Sequence, residues 1–528
     1  MQKNYAAAGK DVISWNSLVD ALVLITIFSV LLLDFNGYRW LMPIDEGQWL
    51  FYADQLLQGK VLYREIWYQF GPMVLFGLKW SMQILGKTLA TERIYFWFLS
   101  LIGLAALYLF SKQLLERRTI KLLLCLIALL NSLTCKLMMV NPAFLARQCF
   151  GLLPLYLLFG SSSERGRWKH FAAGFLSMFS ILVSQETGTF SLVASLTFLA
   201  MKRFESRRNA LCLKELSWFA AAFLLCLLMW MSYCLHEGFV KDYFVISFGE
   251  IFSMVGKYQH SPLPVLSSLI ENYRNLAAYY HMALTYLPIL VSLLTITYVA
   301  ASKKLDARLV SISVYGICCF GILLGRCDIY HSTFAGLPLL ILISYWFERA
   351  LCVKGRTAQY SMISVITGFC LLLLTANASN LSKLFANSRI VKKTAYAEKL
   401  PYLGSAMIPM DQYEAIWSAK GVIEHNSHAS QEFIIILNSP FYYFFIDRPT
   451  STRFATPLFA NNEEAKREIL QELREGTYYF VLYENIRFPA VDYDYYFREI
   501  FDVVRAGYST FSKTGDHTFV LKIRNRSR

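Results

Sequence analysis

Apolar stretches long enough to cross a bilayer follow one another along this chain, separated by short polar turns. In hydrocarbon, a segment must satisfy its own backbone hydrogen bonds, which for a single stretch leaves essentially only the α-helix. We read about eleven spans of roughly 17 to 25 residues, some shortened by polar interruptions. They lie near 21–40, 94–111, 119–135, 147–160, 170–184, 188–201, 215–235, 282–301, 308–325, 333–348 and 359–377. Hydrophobic residues make up 56% of the chain and charged ones 17%, more apolar surface than one or two soluble cores can bury. The expected class is a mostly α, polytopic membrane protein.

Orientation follows from the basic residues, because short cytoplasmic loops carry the Lys and Arg excess. Lys112/Arg117/Arg118/Lys121, Arg165/Arg167/Lys169, Lys202/Arg203/Arg207/Arg208/Lys214, Lys303/Lys304/Arg308 and Arg349/Lys354/Arg356 occupy alternate loops, and so one side. Most of the formal net charge of +14 sits there, which makes it a topology signal and not a nucleic-acid footprint. The amino terminus is then expected in the cytoplasm and the residues beyond 378 outside. The first span has no small-residue cleavage site behind it and reads as a retained anchor. The eleven cysteines are scattered between Cys125 and Cys370, with neither a disulfide framework nor a zinc spacing.

This topology brings the ionisable residues to one face. Asp45 and Glu46 follow the first span at once. The break Ser184-Gln185-Glu186-Thr187-Gly188, the segment Gly325-Arg326-Cys327-Asp328-Ile329-Tyr330-His331 and the turn with Asn141 and Arg147 all reach the same outer side. Charges beside a bilayer are costly and tend to mark sites that bind or move charge. Charges with independent structural roles would be scattered over both interfaces, so one outward-facing polar cavity is expected. Plainer readings stand beside this one. Asp45 and Glu46 also suit the N-terminus of a helix beginning at Gly47, and Glu186 suits a solvated hairpin. Arg326, Asp328 and His331 suit a local ion pair, and Arg147 suits an interfacial arginine whose stem lies in lipid.

The outer loop 41–93 carries two amphipathic patterns, Trp49/Leu50/Ala53/Leu56/Leu57 and Met73 through Leu85, each expected to lie along the membrane. A second outer loop, 236–281, is rich in Tyr and Phe and holds Lys257, His260, Pro262 and Pro264. It reads as interfacial helices and a mobile cover, or simply as lipid contact. Beyond 378 the pattern changes. Strand-like runs at 433–437, 478–483 and 518–523 flank a helical pattern at 462–475, so a small C-terminal α/β domain spanning 379–528 is expected outside the membrane, after a transmembrane domain spanning 1–378.

Asp45-Glu46, Tyr52, Ala53, Gly59, Tyr63-Arg64 and Gly71-Pro72, then Gln185 and Gly188, then Arg326, Asp328 and His331, form a pattern over roughly residues 20 to 350. In these residues the chain resembles the GT-C glycosyltransferases, specifically the bacterial branch with the protein mannosyltransferases and lipid A aminoarabinose transferases. It departs from that branch at Phe70-Gly71-Pro72, where a Lys-Pro-Pro turn is common, and at Ser184, where a Lys is common. The resemblance implies a donor sugar on a polyprenyl phosphate, an extracytoplasmic acceptor, a membrane lipid environment and residence in a bacterial inner membrane. Phosphate leaves as an anion without an acid, but the acceptor hydroxyl must lose a proton, so one carboxylate base is enough. The resemblance makes Asp45 that base and gives Glu46 the acceptor or a divalent cation to orient. It offers Arg64, Arg147, Lys257 and Arg326 for the phosphate, and Gln185, Glu186, Asp328 and His331 for sugar hydroxyls, with Tyr63 beside them. No ligand spacing specifies a metal, and no other cofactor is implied.

Two other classes remain open from sequence. A transporter would place ionisable groups near the bilayer midplane in broken helices, with related halves. A lipid-linked glycan polymerase or ligase would carry arginine-rich outer loops without an early acidic pair.

Overall fold

The computed structural model describes residues 41–134, 143–250, 263–264, 276–352 and 400–523, apart from 43, 162–165, 207–208, 303–304, 326, 437, 461, 485–496 and 515–517, together with positions 25, 360, 364 and 368. Apart from those four isolated positions, the spans expected at 21–40 and 359–377 lie outside the described residues, as do Asn141, Lys257 and Arg326.

The segment 41–93 supplies α1 (Asp45–Leu57) and α2 (Pro72–Leu85). Pro72 at the first position of α2, where no backbone donor is needed, and Gly86 at its end with φ 98° fix the length of α2. Thr88 then caps α3 (Leu89–Ser111), its hydroxyl accepting the Thr91 N–H at 3.1 Å. The helical body continues through α4 (Arg118–Thr134), α5 (Phe144–Phe150), α6 (Leu152–Phe159), α7 (Arg167–Val183), α8 (Gln185–Ser206) and α9 (Asn209–His236). After the short α10 (Val240–Phe244) come α11 (Leu276–Ala301), α12 (Ala307–Gly325), α13 (Ile329–Ala335) and α14 (Leu337–Ala350).

Among the described residues, α3, the part Leu213–His236 of α9, the part Ala278–Ala301 of α11, and α12 are long and apolar enough to cross a membrane, and α13 with α14 makes a fifth, bent by 51°. The other expected spans among the described residues are shorter or more polar. α4 and α7 have 17 residues each, a rise of about 26 Å at 1.5 Å per residue, somewhat less than the roughly 30 Å hydrocarbon core. The span expected at 147–160 is broken at Gly151, where an added Cβ would lie 3.1 Å from the Thr187 carbonyl. α7 packs on α8 and α9, α8 on α12, and α12 on α11.

After α15 (Met410–Asn426), the C-terminal part forms β1 (Glu432–Ile436), α16 (Phe441–Ile446), α17 (Glu463–Glu475), β2 (Tyr478–Glu484), α18 (Arg498–Gly507), β3 (Tyr508–Lys513) and β4 (Thr518–Ile523). The sheet order is β1-β2-β4-β3, with β1 parallel to β2 and β4 antiparallel to both β2 and β3. The strands and helix expected at 433–437, 478–483, 518–523 and 462–475 form, and the sequence reading lacked β3 and α18. Asn462 caps α17 through the Ala465 N–H, and Gly476 ends it at φ 76°.

Two apolar cores result. One lies among the spans, from Leu104 to Tyr345. The other is continuous from the α1–α2 segment to the C-terminal sheet, joining Trp49, Tyr63, Trp67, Tyr443 and Val520. α1 therefore does not lie on a membrane surface: every residue from Glu46 to Leu56 is buried, with α2 and α16 packed against it.

Candidate active site

Glu46 is fully buried and faces Arg93 in the first turns of α3, with Arg93 Nε 2.9 Å from Glu46 Oε1. Glu46 Oε2 accepts the Met42 N–H at 3.1 Å, and Arg93 Nη1 donates to the Met407 carbonyl at 3.1 Å. The structure thus gives Glu46 a partner inside the protein. Asp45, one residue earlier, is half-buried.

Arg147 is the centre of the arrangement. Its guanidinium carbon lies 4.7 Å from the centroid of Phe70, 5.4 Å from Phe334 and 5.6 Å from Phe144, an aromatic cage suited to a cation. The side chain is 5% exposed, and Nη2 lies 3.3 Å from Glu186 Oε2 at the start of α8. Its buried Nε finds no acceptor among the described residues. Such a donor costs stability unless something accepts from it.

The cage is built by close backbone approach. A Cβ on Gly71 would lie 2.3 Å from the Leu182 carbonyl, so only glycine lets the Phe70–Pro72 turn meet the end of α7. Ser184, with φ −153° and ψ 112°, ends α7, and α8 doubles back over it because a Cβ on Gly188 would lie 2.3 Å from Ile181 N. Thr187 Oγ1 donates to the Arg147 carbonyl at 2.7 Å. Gln148 Nε2 donates to the Thr333 and Phe334 carbonyls at 3.2 and 2.6 Å, which brings α13 to the cage. Burial pushes the Tyr68 phenol well above its usual pKa, the neighbouring Tyr63 pushes it further, and Arg147 opposes.

The other described sequence candidates are placed as follows. Gln185 Nε2 donates to the Gln69 carbonyl at 3.4 Å and ties α8 to the Phe70 turn. Asp328 caps α13 by accepting the His331 N–H at 2.9 Å, with His331 Nδ1 also 2.9 Å from Asp328 Oδ1; the His331 ring lies 6.5 Å from Phe144. Tyr63 is buried and left-handed at φ 67°, an uncommon state for a bulky residue. Its hydroxyl donates to the Phe70 carbonyl at 3.2 Å. Arg64 turns outward, half exposed, with Nη1 on the Glu237 carbonyl at 3.1 Å. Arg93 and the cage rings Phe144 and Phe334 had not been singled out from sequence.

Among the described residues no group of three or more His, Cys, Asp or Glu side chains is arranged to hold a metal ion, and Glu46 is engaged by Arg93.

No protein-family model matches the sequence, and no curated protein matches it by sequence. Solved structures do match its fold. ArnT from Cupriavidus metallidurans bound to undecaprenyl phosphate has a TM-score of 0.55 at 10% identity, over 98% of this chain and 99% of that one. Its apo form gives 0.56 at 10% identity, over 96% and 97%. The archaeal oligosaccharyltransferase AglB from Archaeoglobus fulgidus, in complex with an inhibitory peptide and a dolichol-phosphate, gives 0.52 at 12% identity, over 98% of this chain and 75% of that one.

Proposed function

We propose that this chain, whose fold is that of the GT-C membrane glycosyltransferases, transfers a sugar from a polyprenyl-phosphate donor to an extracytoplasmic acceptor. The observation that carries the reading is Arg147. It is buried and caged by three rings, its Nε finds no acceptor among the described residues, and its Nη2 lies 3.3 Å from Glu186. A caged guanidinium suits a lipid-linked phosphate, which supplies acceptor oxygens and charge together. The bound lipid in ArnT is undecaprenyl phosphate and in AglB a dolichol-phosphate, in keeping with such a donor.

In this reading an acceptor oxygen attacks the anomeric carbon while the bond from that carbon to the phosphate oxygen breaks. The electron pair leaves with the phosphate, held by Arg147, and the acceptor proton passes to Asp45, with inversion. Glu186 orients Arg147, while Asp328 and His331, whose ring lies beside the cage ring Phe144, would bind sugar hydroxyls. Lys257, Arg326 and Arg64 are further candidates for the phosphate. The protein would sit in a bacterial inner membrane with its amino terminus in the cytoplasm and its C-terminal α/β part outside.

The test is sugar release and transfer from undecaprenyl-phosphate-linked mannose, glucose and arabinofuranose to a cell-envelope extract, with purified wild type and Asp45→Asn. Loss of the general base lowers the rate about 10²- to 10⁴-fold in a variant that still binds undecaprenyl phosphate. A variant as fast as wild type moves the base elsewhere, and no transfer by wild type from any of these donors argues against the reading.

A further inference from the structure

The first turn of α1, which bears Asp45, has no cap of its own: Ile44 precedes it and supplies no side-chain acceptor. Its position is set from far along the chain. The Leu41 N–H donates to Gln412 Oε1 at 2.8 Å and Gln412 Nε2 donates to the Leu41 carbonyl at 2.9 Å, across a separation of 371 residues. This saturates both polar groups of one residue, as a paired strand would. Arg93 joins Glu46 to the Met407 carbonyl. Just after Asp45, Gly47 lies so close to the C-terminal part that a Cβ there would be 2.7 Å from Phe441 N and 3.1 Å from Pro440 Cγ.

These three grips, from residues 407–441, bracket Asp45 on both sides. Arg147, by contrast, sits on α5, whose neighbouring Leu145 and Cys149 belong to the core among the spans. The base and the phosphate-binding cation are therefore carried by different cores, and the C-terminal part sets where one stands relative to the other. Resting on the glycosyltransferase reading, we propose that the C-terminal part positions the Asp45 base, with Gln412 and Arg93 as positioning residues. A misplacement of about 1 Å at a reacting group costs up to about 10²-fold in rate, so a grip of this kind acts on kcat and leaves donor binding alone.

The experiment uses the full-length protein in nanodiscs with the undecaprenyl-phosphate sugar that wild type accepts. Gln412→Met keeps the size of the side chain and removes both hydrogen bonds to Leu41. Arg93→Lys keeps a charge for Glu46 but, with one ammonium in place of the fork, releases Met407. Each is expected to lower kcat about 10- to 100-fold, with donor KM and undecaprenyl phosphate binding unchanged. Wild-type kcat in both variants overturns the positioning role while leaving the glycosyltransferase reading intact. So does parallel loss of transfer and of undecaprenyl phosphate binding, which marks a purely structural contact. Absence of transfer by wild type itself overturns the underlying reading and this inference with it.

Discussion

Three aromatic rings and one carboxylate surround Arg147, and that environment distinguishes a guanidinium from an ammonium. A lysine there would keep the charge but lose the planar fork and the stacking on Phe70. Arg147→Lys is expected to weaken undecaprenyl phosphate binding about 10- to 100-fold, roughly 1.5–3 kcal/mol, as read by ligand-dependent thermal stabilisation; equal affinity would remove Arg147 from the phosphate site. Glu46 and Arg93 make a different prediction. Both are essentially fully buried, so Arg93→Met leaves a carboxylate without its partner and costs about 3–5 kcal/mol of stability. Adding Glu46→Gln should recover part of that loss in chemical unfolding, and no recovery would mean the two are not coupled. Asp45, Arg147 and Glu186 were legible in the sequence because each ionisable group interrupts apolar surroundings. Arg93 was not, since its partner is 47 residues away and it reads as part of the outer end of a span.

Glycine decides how the site's elements meet. At Gly71 and Gly188 an added Cβ would fall 2.3 Å from backbone atoms of α7, and backbone cannot move aside as a flexible side chain can. Gly71→Ala and Gly188→Ala are each expected to lower stability by about 1–3 kcal/mol and to reduce transfer, because Phe70 and Glu186 ride on those segments. Unchanged unfolding midpoints and activity would show that the approach is looser than described. The Gly71-Pro72 turn and the Gln185 break could be read from composition, as could α2, whose Trp80, Ile84 and Leu85 stay exposed. The placement of α1 could not. Its apolar face suggested a membrane surface, yet Gln48, Asp54 and Gln55 are as buried as Trp49 and Leu50, because α16 covers the side that periodicity assigns to solvent. The edge strand β3 was missed because its sequence Tyr-Ser-Thr-Phe-Ser-Lys is mostly polar and largely exposed.

Across the whole molecule, the α1–α2 segment and the C-terminal part are also joined by Lys87. Its ammonium lies 2.6 Å from Asp54 on α1 and 2.7 Å from Asp447 after α16, and Tyr402 donates to Asp447 at 2.6 Å. Burial works against ionisation of Asp447, but the hydrogen bonds from Lys87 and Tyr402 prevail and hold its pKa below the ordinary 3.8. A carboxylate depressed on folding adds stability that is complete above its unfolded value and disappears as pH falls through the folded one. Wild type should thus exceed Asp447→Asn in stability at neutral pH, and the gap should close as pH falls below 3.8. Asp54 has the opposite sign, since burial raises its pKa despite Lys87, so comparison with Asp447→Asn is needed to isolate the effect. A gap that stays constant down to strongly acid pH would show that Asp447 is not engaged by Lys87 in solution.

The sequence by itself determined the membrane class and drew attention to Asp45, Arg147 and Glu186 as ionisable groups in apolar surroundings. Each of these is a local property: a segment's solvation in lipid or water depends on its own residues. Tertiary structure alone decided that Glu46 belongs to Arg93, that Phe70, Phe144 and Phe334 enclose Arg147, and that residues 407–441 hold the segment bearing Asp45. Apart from Phe144, three positions before Arg147 on the same helix, those pairings join groups tens to hundreds of positions apart. Their partners are selected by the packing of whole cores, and no local pattern of polarity encodes that choice.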